Sequence, residues 1–180
     1  MSRTFAYGVV LAFGMGVFVT IDAQDSALPD SIIAFPADYA DGVLYWTQDR
    51  PNGNQVRDYY TSSDAIEAAR EGRAFPDRTV ITVVQYSAQL DADGNPVTDA
   101  DGRFVKNEIV GYTAMEKRPG WGDGIPEAIR NGDWDYSVFS AGMAPNMDAN
   151  RQACYQCHNQ RAAATDFVFS TSNMEAAAGM

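Results

Sequence analysis

Residues 153 to 160 read ACYQCHNQ and hold both cysteines and the only histidine of a 180-residue chain. Cys154-Tyr155-Gln156-Cys157-His158 has the C-x-x-C-H spacing of covalent c-type haem attachment. The spacing has a physical reason. On one helical turn, two thiols separated by two residues reach the two vinyl groups along one porphyrin edge, and the adjacent imidazole swings under the iron. Cys154 and Cys157 are therefore the expected thioether residues of one covalent haem c, and His158 is the expected proximal axial ligand of its iron.

Other uses of these residues fit less well. A thioredoxin-like pair belongs at the start of a helix in a βαβ context, and no such alternation is visible. A structural zinc site needs four ligands, and no second histidine or further cysteine exists to complete one. A disulfide between Cys154 and Cys157 would close a short, strained loop and leave His158 unused. Bis-histidine ligation is excluded by count, which leaves Met115, Met143, Met147 and Met174 as candidates for a sixth ligand in an electron-transfer haem.

The elements that must position this motif are mostly strands. VLYW (43 to 46) and VRDYY (56 to 60) flank the turn-like RPNGN and pair as strands. SSDAIEAAREG (62 to 72) is a short helix, with Ser62 or Ser63 as its cap and Gly72 past its end. TVITVVQYSAQ (79 to 89) and RFVKNEIVGYTAMEK (103 to 117) are two long strands around the polar loop 91 to 102. That loop is rich in aspartate, but it lacks the closing glutamate and flanking helices of a calcium loop, so it is expected to be a solvated hairpin. In WDYSVF (134 to 139), Trp134, Tyr136 and Val138 alternate with Asp135 and Ser137, which predicts one buried and one solvated strand face. The fold class is mainly β (α+β): an antiparallel sheet with a few short helices, the haem held by a C-terminal C-x-x-C-H segment.

Ahead of this, Arg3 is followed by 18 uncharged residues, Thr4 to Ile21, and then by Asp22 and Asp25. Residues 1–23 are expected to be a signal peptide cut near Ala23 or an uncleaved membrane anchor, with residues 24–180 as a single haem-binding domain. Either reading places the domain in the periplasm, soluble or tethered by residues 4–21. At 46% hydrophobic residues the chain is rich enough to build a core, and its formal charge of −11 repels nucleic acid and anionic membrane surfaces.

Beyond the haem motif, FPADY (35 to 39), RDYYTSSDAIEAAREGRAFPDRTVITV (57 to 83), YTAMEK (112 to 117), NGDWDYSVF (131 to 139) and TDFVF (165 to 169) accompany ACYQCH in a fixed order. Together they resemble the cytochrome P-460 and cytochrome c′-beta family over nearly all of residues 33 to 170. The resemblance implies a periplasmic β-sheet protein with one haem, a five-coordinate iron and an open distal pocket, and it carries homodimerisation as a family-level expectation. It also implies two chemistries. The P-460 type links a lysine on the strand after an F-x-D-G-T-V turn to the porphyrin and oxidises hydroxylamine. The c′-beta type lacks that link, has an apolar distal pocket and binds nitric oxide or carbon monoxide.

Aligned with that turn, FPDRTVITV puts Val83 at the crosslinking position and Arg78 at the turn glycine. Valine cannot form the bond and offers no base for proton-releasing oxidation, so hydroxylamine oxidation is disfavoured. Phe104, Met115 and Phe139 join Val83 as distal-pocket candidates from strand phase, with ordinary core packing as their competing role. Lys106 and Lys117 are expected at solvent-facing positions. Two functions follow: a protein binding nitric oxide or a related small ligand, and an electron carrier or membrane-anchored haem subunit serving a redox partner.

Overall fold

The computed structural model describes residues 28–31, 33–161 and 163–177. The expected signal or anchor, residues 1–23, lies outside them, and among the described residues no helix is long and apolar enough to cross a membrane. Five antiparallel strands form one sheet in chain order: β1 (Val43–Arg50), β2 (Gln55–Thr61), β3 (Val80–Ala88), β4 (Lys106–Lys117) and β5 (Trp134–Ser140). Three short helices accompany it, α1 (Ser63–Arg70), α2 (Arg151–Arg161) and α3 (Thr171–Ala177), so the mainly β, α+β expectation holds.

Local chemistry sets the connections. Between β1 and β2 the chain turns through Pro51–Gly53 and Asn54, whose φ of 48° is a conformation asparagine tolerates. Ser62 caps α1 by accepting the Ala65 N–H, and the helix buries Ala65, Ile66, Ala68 and Ala69. In the loop 91 to 102, Asp91 Oδ1 accepts the N–H groups of Asp93 and Asn95, and Asp99 Oδ1 accepts those of Asp101 and Arg103, each at 2.9 Å. Those carboxylates build two successive tight turns, as the hairpin-loop reading requires.

Side chains alternate along each strand, so the register sorts one sheet face into rows. Tyr136, Met115 and Ile81 make one row. Val138, Thr113, Val83, Tyr59 and Trp46 make the next, and Gln85, Arg57 and Gln48 the one after. The helices cover the first row: Ile81, Met115, Trp134 and Tyr136 are buried with α1, Tyr155, Val168 and Met174 in one core. The second and third rows are only half-buried. The opposite face carries a separate aromatic core of Tyr112, Phe139, Val84, Ile33 and Ala114, with Phe35, Tyr39, Tyr60 and Tyr86 against it.

Three sequence expectations are corrected. Strand β5 is buried on both faces: Asp135 and Ser137 are 4% and 5% exposed, because Asp135 accepts hydrogen bonds from Ser31 and Tyr155 and pairs with Arg151. Lys117 is not solvent-facing; its Nζ donates to Asp166 at 2.7 Å and to the Phe75 carbonyl at 3.0 Å. Lys106 is exposed, as expected, and its ammonium pairs with the buried carboxylate of Asp58. The strand expected from residue 103 begins at Lys106, since Arg103 and Phe104 turn toward Asp49 and the loop, where Phe104 bridges Thr98.

Candidate haem site

Helix α2 is fastened to the sheet at several points. Arg151 Nε donates to the Tyr136 carbonyl at 2.7 Å and its guanidinium pairs with Asp135. The buried Tyr155 hydroxyl donates to Asp135 at 2.8 Å, while Asn131 Nδ2 donates to the Tyr155 carbonyl at 3.0 Å and to the Tyr136 hydroxyl at 2.9 Å. Asn159 Nδ2 reaches the Arg130 carbonyl at 3.0 Å. With Tyr155 turned inward, the helical period places Cys154, Cys157 and His158 on one adjoining stripe.

Both thiols on that stripe are free, Cys154 half-buried and Cys157 exposed. Burial pushes the Cys154 thiol up, with the Arg151 cation opposing, so it stays protonated rather than becoming an exchange-competent thiolate. His158 Nδ1 lies 2.7 Å from the Phe167 carbonyl. A carbonyl can only accept, so Nδ1 carries the proton and Nε2 keeps the lone pair. The ring sits between Tyr136 and Phe169, at centroid distances of 4.7 and 4.5 Å. Burial holds its pKa below the ordinary histidine value, with the Phe167 bond opposing, and the imidazole stays neutral as a metal ligand must.

These residues fit a haem. The stripe offers two thiols one turn apart and an imidazole whose free nitrogen is fixed by a backbone acceptor. The His158 ring meets the sheet at Tyr136, and the next row beyond Tyr136 is only half-buried.

Of the four distal candidates, Val83 and Met115 lie on the face that carries α2. Val83 sits in the half-buried second row between Tyr59 and Thr113, whereas Met115 belongs to the helix-covered first row. Phe139 is on the opposite face, 5.3 Å from Phe35, because its strand phase is that of Asp135 rather than Tyr136. Phe104 stands outside the strands, at the loop. Arg78 adopts a φ of 67°, the left-handed conformation glycine prefers, which agrees with its alignment on the turn glycine.

Two features went unrecognised in the sequence. Arg57, in the third row beside Gln85, keeps a buried Nε with no hydrogen-bond partner among the described residues. The Lys117–Asp166 pair ties the segment after α2 to β4. An arginine inside the strand pattern was the available signal for the first; nothing local marks the second.

An antiparallel sheet with one half-open face, flanked by a helix bearing C-x-x-C-H, defines a haem protein of the β-sheet class. The family model described as Cytochrome P460 matches residues 36–170, and the chain belongs to that family. No curated protein matches it.

Proposed function

We propose that this chain is a periplasmic mono-haem c-type cytochrome, with thioethers at Cys154 and Cys157 and His158 as proximal ligand, that binds nitric oxide or a related small nitrogen-oxide ligand at an open iron position. The observation that carries this reading is the second row of the sheet face. Trp46, Tyr59, Val83, Thr113 and Val138 include no histidine, methionine, cysteine or lysine, so this row offers no crosslinking amine, and its one side chain of haem-ligand type, the Tyr59 phenol, is engaged as a donor to Gln48 at 3.0 Å. Met115 and Met174 are packed in the core under the helices, while Met143 and Met147 are exposed after β5.

Haem supplies an iron that takes a diatomic ligand. The chain does the rest. Val83 and Val138 give an apolar wall that suits a neutral ligand, and Arg57 in the neighbouring row has an N–H to donate to its polar end. The Phe167 carbonyl holds the His158 proton on Nδ1, and the Tyr136 and Phe169 rings fix the imidazole plane.

Absorption spectra of ferric and ferrous protein, with and without carbon monoxide or nitric oxide, test the reading. A high-spin spectrum that shifts with gas is expected; a low-spin ferrous spectrum unmoved by carbon monoxide would sink it. Electron transfer to a redox partner at a membrane is the second reading, favoured by the 18 uncharged residues Thr4 to Ile21. In that case the protein copurifies with membranes and retains those residues.

A further inference from the structure

The Phe167 carbonyl that holds His158 stands on two consecutive residues with left-handed backbone, Asp166 at φ 47° and Phe167 at φ 61°. Asp visits this region readily; a bulky aromatic residue does so only under strain and persists there only where its surroundings impose it. The surroundings here are specific. Asp166 Oδ2 accepts from Lys117 Nζ at 2.7 Å and from the Phe75 N–H at 2.9 Å, and Oδ1 faces the Trp134 indole N–H at 3.4 Å. Lys117 Nζ also donates to the Phe75 carbonyl, and the lysine and aspartate side chains are only 14% and 19% exposed. On the other side, the Phe167 ring lies over Gly132, where an added Cβ would stand 3.5 Å from it.

We propose that Lys117 and Asp166 are positioning residues for the proximal histidine. Neither touches the imidazole. Their ion pair pins the carboxylate, the carboxylate pins the left-handed pair, and the pair aims the Phe167 oxygen at Nδ1. An imidazole whose Nδ1–H is held by a well-aimed acceptor is a stronger electron donor through Nε2, which favours ferric over ferrous iron. A surface ion pair would have no such reach. This inference rests on His158 as iron ligand and deepens that reading.

The test compares holoprotein carrying Asp166→Asn or Lys117→Gln with the unaltered protein and with Glu71→Gln, which breaks the exposed Arg73–Glu71 pair. Asp166→Asn keeps an oxygen for the Phe75 N–H while losing the charge, and Lys117→Gln leaves the aspartate in place, so at least one variant is expected to fold. The readouts are the midpoint potential and the iron–histidine stretching frequency of the ferrous protein. A potential shifted upward and a stretch shifted downward in the folded variants, with Glu71→Gln unmoved, is the expected result. Folded variants with lowered thermal stability but unchanged potential and stretch would overturn the proposal and leave only a structural clamp. Failure of the open-site reading looks different: the unaltered ferrous protein is then six-coordinate, yet its potential still reports on Asp166.

Discussion

The Tyr155 hydroxyl donates to Asp135 at 2.8 Å, so a residue inside the haem motif is bolted to a buried carboxylate on the edge strand. Removing the donor with Tyr155→Phe should cost about 1.5–3 kcal/mol, the worth of one hydrogen bond to a charged group. Asp135→Ala should cost more, about 3–5 kcal/mol, because it also strands the Arg151 guanidinium. Urea unfolding of the holoproteins checks the order; equal losses would mean that Arg151 finds another partner.

Arg57 carries opposite consequences for stability and binding. A buried N–H without a partner costs about 1–3 kcal/mol, so Arg57→Met should leave the apoprotein equally or more stable. The same change removes the donor proposed for the bound ligand, and dissociation of nitric oxide should quicken by about tenfold, equivalent to about 1.4 kcal/mol. Stopped-flow dissociation together with thermal melts reads both; slower dissociation in the variant would refute the donor role.

Val83 controls access if the second row faces the iron. Val83→Phe adds bulk between Tyr59 and Thr113 and should slow carbon monoxide association by about tenfold, or about 1.4 kcal/mol of barrier, while the Soret position of the ligand-free protein holds. Flash photolysis gives the rate. An unchanged rate would place Val83 away from the ligand path.

The single histidine makes pH a clean probe of the apoprotein. His158 has its folded pKa below the ordinary 6.5, so the unfolded chain binds more protons in the window just beneath that value. Its contribution is therefore complete above about 6.5 and is lost as pH falls through that window toward the folded pKa. The stability difference between the unaltered apoprotein and His158→Gln should rise with pH from about 5 to 6.5 and level off above. A flat difference would mean that the imidazole is as easily protonated folded as unfolded.

Much of this was legible because its causes are local. A covalent haem site needs its residues nearly contiguous, so the candidates Cys154, Cys157 and His158 can be named from spacing alone; alternation and turn residues marked β1, β2, β3 and α1. What stayed hidden depends on distant partners. Strand phase separates two faces without saying which one the helices take, so Phe139 and Met115 looked alike until Met115 was found under α1 and Phe139 against Phe35. Lys117 resembled a surface lysine because its carboxylate lies 49 residues further along the chain. Asp135 resembled a solvated aspartate for the same reason, its three side-chain partners being Ser31, Arg151 and Tyr155.

Helix α2 is followed by α3, which crosses back to lie against α1 and β1, where the Ser170 hydroxyl meets the Tyr45 hydroxyl at 2.8 Å. The haem motif is thus the middle of a belt drawn from the last strand to the first, buckled at both ends. A loose tail can fray and return without consequence, but a belt cannot slacken at its centre while both buckles hold. Exposure of the proposed proximal side at His158 should accordingly require the far edge of the sheet to let go, tying the lifetime of that site to that of the whole fold.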